Sequence, residues 1–259
     1  MPTPRYPWKT VWITGASSGI GRELALSLAG AGVNVAASAR SVAKLGELTK
    51  RQATIEAFPV DVTDRVATAE CAARILERFG NIDLAILNAG TWHPAVATDL
   101  DSAKAADAMA VNYNGVVNCI VPLLPAMRRH GSGHIAFTGS IAGYRGLPKS
   151  SHYGPTKAAL INLAETLSIE LYREGISITI INPGFVDTPM TAVNDFPMPF
   201  LMTARDASAR ILKKLPRRPF EIAFPWQLVW QLKFAQMLPA VLYIRFIRRI
   251  TGLAGRASK

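Results

Sequence analysis

Thr10-Val11-Trp12-Ile13-Thr14-Gly15-Ala16-Ser17-Ser18-Gly19-Ile20-Gly21 is the stretch that decides the fold. Its first five residues are β-branched or aromatic, the composition of a short strand. Three glycines follow, and Arg22–Ala31 is helical in composition. Strand, glycine-rich turn and helix follow in that order. The glycines permit a tight turn and a close backbone approach to a pyrophosphate, and the helix N-terminus offers unpaired N–H groups and partial positive charge. The spacing is Gly-x-x-x-Gly-x-Gly, not Gly-x-Gly-x-x-Gly, and a glycine triplet read alone is equally a structural turn. Its place between a first strand and a first helix favours the nucleotide reading. The candidate phosphate-side residues are Gly15, Ser17, Ser18, Gly19, Ile20 and Gly21.

Working outward, the apolar runs Ala85–Leu87, Ile135–Phe137 and Ile176–Ile181 read as buried parallel strands, because they are continuous where half-exposed strands would alternate. Helical stretches separate them, which indicates a Rossmann-like, doubly wound parallel sheet. At 259 residues and 49% hydrophobic content, one α/β domain over residues 1–224 is the economical reading, with a C-terminal helical extension over 225–259. Two cysteines, Cys71 and Cys119, are too few for a disulfide framework and suggest a reducing compartment. Met1–Lys9 has no apolar signal core, so a cytoplasmic protein is expected. His93, His130, His134 and His152 lack ligand spacing, and no metal is expected. His152 reads as a helix-start residue.

The second strand, Val33–Ser38, ends at Ala39-Arg40-Ser41. In a dinucleotide fold this end faces the adenosine ribose, where a carboxylate binds a 2′-hydroxyl and an arginine accommodates a 2′-phosphate. No acid stands there. Arg40, with its forked donors, points to NADP(H); the plainer reading is a surface arginine ahead of a helix.

Tyr153-Gly154-Pro155-Thr156-Lys157 sets a phenol and an ammonium one helical turn apart. A neighbouring cation is expected to lower the tyrosine pKa from about 10 toward the working range. Pro155 is tolerated if the helix starts near Ser151, since a first-turn proline lacks only an N–H that had no partner. Alone, such a pair is most often a solvated helix face.

With both motifs placed, the chain resembles the short-chain dehydrogenase/reductase family over about residues 8–190. The resemblance assigns Asp61-Val62 to adenine. It matches Leu87-Asn88-Ala89-Gly90 to the family's Asn-Asn-Ala-Gly, leucine replacing the first asparagine, with Asn88, Ala89 and Gly90 beside the cofactor. Asn112 matches the catalytic asparagine, Ser140 the catalytic serine, and Pro183-Gly184 with Thr188 the segment holding the nicotinamide carboxamide. Read singly, Asn112 is an exposed polar residue, Ser140 a loop serine and Asp61 a helix cap; five motifs in order favour the set. The resemblance implies that Ser140 and Tyr153 stabilise a developing oxyanion and that Tyr153 gives its proton. Lys157 would tune the tyrosine and bind ribose hydroxyls, and Asn112 would hold a relay water. It also implies a homo-oligomer.

The net charge of +11 is unevenly spread. Residues 1–204 hold 17 Lys and Arg against 16 Asp and Glu, whereas residues 205–259 hold 12 against 2. The same tail carries Phe224-Pro225-Trp226-Gln227-Leu228-Val229-Trp230 and, after Pro239, a second apolar stretch with Arg245, Arg248 and Arg249. Its uncharged runs fall short of the roughly 18 residues of a spanning helix. Two basic amphipathic helices on an anionic membrane surface are one reading, making the protein peripheral to a membrane. Helices covering the sheet or a subunit interface are the other. Nucleic acid is disfavoured, because no base-reading module accompanies the charge.

Thr188–Thr203 corresponds to the family's substrate-covering segment, and Met190, Phe196, Met198, Phe200, Leu201 and Met202 make it apolar. The expected function is therefore NADP(H)-dependent reduction of the carbonyl of a hydrophobic, lipid-like substrate. The alternatives are NADP-linked oxidation of a hydrophobic secondary alcohol, and a catalytically silent NADP(H)-binding protein at a membrane.

Overall fold

Thr10–Thr14 forms β1, with every residue buried. Val11 and Ile13 enter one core layer while Trp12 enters the other, as the two-residue period of a strand covered on both faces requires. The structure is a computed structural model that describes residues 6–252; the first five residues of the Met1–Lys9 reading, and the last seven of the 225–259 extension, lie outside the described residues.

From β1 the chain runs through α1 (Gly19–Ala29), β2 (Asn34–Ser38), α2 (Val42–Arg51), β3 (Ile55–Ala57), α3 (Arg65–Phe79) and β4 (Leu84–Leu87). A long helix follows in three pieces: α4 (Ser102–Met109), a π-helical segment (Ala110–Asn114) and α5 (Gly115–His130). Then come β5 (Gly133–Thr138), α6 (Gly154–Glu170), β6 (Ile176–Pro183) and the two-residue strands β7 (Val186–Asp187) and β8 (Met202–Thr203), which pair with each other. The chain closes with α7 (Ala204–Lys214), β9 (Glu221–Phe224), α8 (Trp226–Gln236) and α9 (Ala240–Ile250).

Seven parallel strands form the main sheet in the order β3-β2-β1-β4-β5-β6-β9. One core layer takes residues from α1, α2 and α7, the other from α3, α5 and α6. This is the doubly wound arrangement expected. The order reverses between β1 and β4, and a crevice opens beyond the carboxyl ends of strands at such a point. Leu87, the departure from the Asn-Asn-Ala-Gly pattern, is a core residue of β4.

Two local expectations change. The α6 helix begins at Gly154, not near Ser151, because the Tyr153 and Gly154 amides both donate to the Ser150 carbonyl and close a turn there. Pro155 still falls in the first turn. His152 precedes that helix and is buried. Its Nε2 accepts from the Asp101 amide at 3.0 Å and its Nδ1 donates to the His93 carbonyl at 3.2 Å, so it fastens two loops to the Tyr153 segment. Cys71 and Cys119 are free and buried. No helix among the described residues is long and apolar enough to cross a membrane.

Candidate active site

The glycine turn closes because two positions admit no side chain. Gly15 has φ +66°, and a Cβ on it would lie 2.8 Å from the Ala89 Cα; a Cβ on Gly21 would lie 2.4 Å from the Gly15 carbonyl oxygen. The Thr14 hydroxyl accepts from the amides of Asn88 (3.0 Å) and Ala89 (3.2 Å), which ties β4 to β1 where they diverge. The Asn88 carboxamide donates to the Gly15 carbonyl and accepts from the Thr138 hydroxyl, joining the ends of three strands.

Beyond these strand ends lies a cleft of about 450 Å³. Every site residue expected from sequence lines it except Gly21 and Asn112. At one end stand Arg40 and, four residues on, Lys44, which the sequence reading did not single out. Neither cation has an ion-pair partner among the described residues. Asp61 bends back on its own turn, accepting from the Thr63 amide and hydroxyl, while Asp64 caps α3. The plainer reading of Asp61 as the helix cap is therefore incorrect.

At the other end are Ser140, Tyr153 and Lys157. Ser140 follows β5, and its hydroxyl accepts from the Ala142 amide at 3.1 Å. The Lys157 ammonium donates to the Thr138 carbonyl at 2.7 Å and sits 5.3 Å from the centre of the Tyr153 ring. Burial pushes the Tyr153 phenol up to about 12, against a smaller downward effect of the Ser140 hydrogen bond. Burial also pushes Lys157 down to about 7. The tyrosine pKa is thus raised, not lowered as expected beside the lysine, because desolvation of the phenolate dominates.

Asn112 is fully buried in the π-helical segment. Its Oδ1 accepts from the Thr91 amide at 2.7 Å, and its Nδ2 donates to the Thr91 carbonyl at 3.0 Å and the Thr156 hydroxyl at 3.1 Å. The carboxamide is a brace between the loop after β4 and α6. Trp92, also missed by sequence, meets the Tyr153 ring edge-on at 4.9 Å and donates to Asn194 in the covering segment at 2.9 Å. Within that segment only Met190 and the neighbouring Thr191 and Thr188 reach the cleft. Phe196 packs on Phe185, and Phe200 and Leu201 are exposed. The apolar lining is thinner than expected. Among the described residues no cluster of potential ligands could hold a metal.

The family model for the short chain dehydrogenase matches residues 9–196. The chain belongs to the short-chain dehydrogenase/reductase family. An uncharacterized oxidoreductase of Myxococcus xanthus is 37% identical over 94% of this chain and 98% of its own length. Among solved structures, an alcohol dehydrogenase from the archaeon Thermococcus sibiricus, complexed with 5-hydroxy-NADP, is 29% identical with a TM-score of 0.75, covering 84% of this chain and 96% of that one. A Burkholderia phymatum short-chain dehydrogenase in complex with NAD shares the fold, with a TM-score of 0.81 at 22% identity over 88% and 92% of the two chains. Family members thus carry NAD- or NADP-type cofactors, and the choice in this one rests on its own residues.

Proposed function

We propose that the protein is an NADP(H)-dependent reductase of apolar carbonyl compounds. The observation that carries this is one continuous cleft with Arg40 and Lys44 at one end, without ion-pair partners among the described residues, and Tyr153, Ser140 and Lys157 at the other. Two cations and no carboxylate at the close of β2 suit a 2′-phosphate. The glycine turn and the N-terminus of α1 suit a pyrophosphate, and Asn88–Gly90, Pro183, Gly184 and Thr188 line the remainder. When bound, NADPH supplies the hydride.

The chain's own residues supply the rest. Tyr153 and Ser140 are placed to donate to an oxygen on which charge develops. Burial keeps the Tyr153 phenol protonated at neutral pH, the state in which it can donate to a carbonyl oxygen. Lys157 titrates near 7, so it can return a proton to the tyrosine at physiological pH, and its ammonium also suits ribose hydroxyls. Met190 lines the cleft, and Trp92 packs edge-on against the Tyr153 ring, so both are apolar neighbours of the reacting end. The test is NADPH consumption with ketones of graded chain length. Rates rising with apolar length and exceeding those with NADH support the reading; no consumption with any of them, alongside tight NADPH binding, would favour a silent binding protein.

A further inference from the structure

The α8 and α9 helices take no part in the chemistry, yet they are firmly held. Ala235, Tyr243 and Ile247 pack with Leu147 and Leu238. The Arg145 guanidinium donates to the carbonyls of Ala235, Gln236 and Leu238 at 2.8, 2.9 and 2.7 Å and lies 4.2 Å from the centre of the Tyr243 ring. The Tyr243 hydroxyl donates to the Gly146 carbonyl at 2.7 Å, and Lys233 pairs with Glu221. The hairpin is anchored to the segment between Ser140 and Tyr153.

Its outer faces have no partner among the described residues. Trp226, Trp230, Phe234 and Met237 follow one another at spacings of four, four and three, so they share one face of α8. All four are exposed, from 66% to 82%. A monomer seldom leaves so much contiguous aromatic surface in water without a use for it. On α9, Tyr243 and Ile247 face inward, so helix geometry turns Arg245, Arg248 and Arg249 outward, flanked by the half-exposed Leu242 and Phe246. None of the three arginines has an ion-pair or hydrogen-bond partner among the described residues.

We propose that the outer face of the α8–α9 hairpin is a docking surface for an anionic bilayer. Guanidinium groups take lipid phosphates, and Trp226, Trp230 and Phe234 enter the interfacial layer. Each helix is 11 residues long, about 16 Å by helical rise, too short to span and suited to lying flat. Charge selects this occupant. A second copy docked through this face would bring two basic surfaces together without acidic groups on it to pair them, whereas an anionic headgroup layer neutralises the arginines.

The test is flotation of the full chain with vesicles of phosphatidylcholine alone or mixed equally with phosphatidylglycerol. Binding is read without activity, so its failure leaves the reductase reading untouched. The protein is expected to float with the mixed vesicles at low salt and to be only partly released at high salt, because screening removes the charge attraction but not aromatic insertion. Replacing Arg245, Arg248 and Arg249 by Glu lowers partitioning about a hundred-fold or more, at roughly fivefold per arginine neutralised. Trp226→Ser with Trp230→Ser removes the salt-resistant part. All five side chains face solvent, and retained NADPH binding verifies that the variants are folded. A parent that stays with the unbound protein at low salt overturns the proposal, as does a triple-Glu variant that floats like the parent. So does a dimer that the Trp pair splits and anionic vesicles leave intact, which makes the face a subunit contact.

Discussion

Tyr153 and Lys157 share one end of the cleft, and burial acts on them in opposite senses, raising the phenol and lowering the ammonium. The consequence for stability is testable. The Lys157 pKa falls from 10.5 to about 7 on folding, so between those values the unfolded chain holds a proton that the folded chain has lost. Stability therefore declines as pH falls from 10.5 toward 7 and changes no further below. Lys157→Met removes that cost of up to about 5 kcal/mol while forfeiting the bond to Thr138, itself worth about 1–3 kcal/mol. The variant's melting temperature relative to the parent, without cofactor, is expected to be most favourable at pH 7 and to lose that advantage by pH 10.5. At the far end of the cleft, Arg40→Ala is expected to weaken NADPH about ten- to hundred-fold and leave NADH within a few-fold, read by fluorescence titration of each. Arg40 was legible in sequence because the end of a second strand is a fixed place in this fold. Lys44 could have been read as well, standing four residues on in the first turn of α2. Trp92 carried no such signal, since its contact with Tyr153 depends on where two loops from different strands end.

At the scale of the element, the π-helical segment Ala110–Asn114 shifts the register of one long helix at Asn112. Asn112 was legible through the family pattern, but its burial and hydrogen bonds were not, because a one-residue widening leaves no compositional mark. Asn112→Ala leaves the Thr91 amide and carbonyl without their partners in a buried place and is expected to cost about 2–5 kcal/mol, measured as a lowered denaturation midpoint in urea. The C-terminal hairpin depends on Arg145 in a similar way. Arg145→Ala removes three carbonyl contacts at the end of α8. Hydrogen exchange is expected to quicken across residues 226–250 while the sheet keeps its protection. The two tail helices were legible from Pro239 and the apolar runs on either side. Their anchorage was not, because Arg145 lies about ninety residues away in sequence.

Across the whole molecule, the parallel sheet was readable because its strands are buried on both faces and so appear as continuous apolar runs. The covering segment Thr188–Thr203 was readable as apolar but not as to which side chains face inward, since irregular backbone has no period. Sheet reversal between β1 and β4 brings the glycine turn and Tyr153 onto one cleft, although they lie more than a hundred residues apart. That union underlies the proposed carbonyl reduction, and its most direct test is a paired measurement on the parent and Tyr153→Phe. Each is titrated with NADPH and then mixed with the best ketone of the chain-length series. The phenylalanine variant is expected to bind NADPH within a few-fold of the parent and to reduce the ketone at least a hundred-fold more slowly, the usual scale of a lost general acid. Undiminished turnover in the variant would contradict the assignment of Tyr153 as the proton donor and, with it, the proposed chemistry of the cleft.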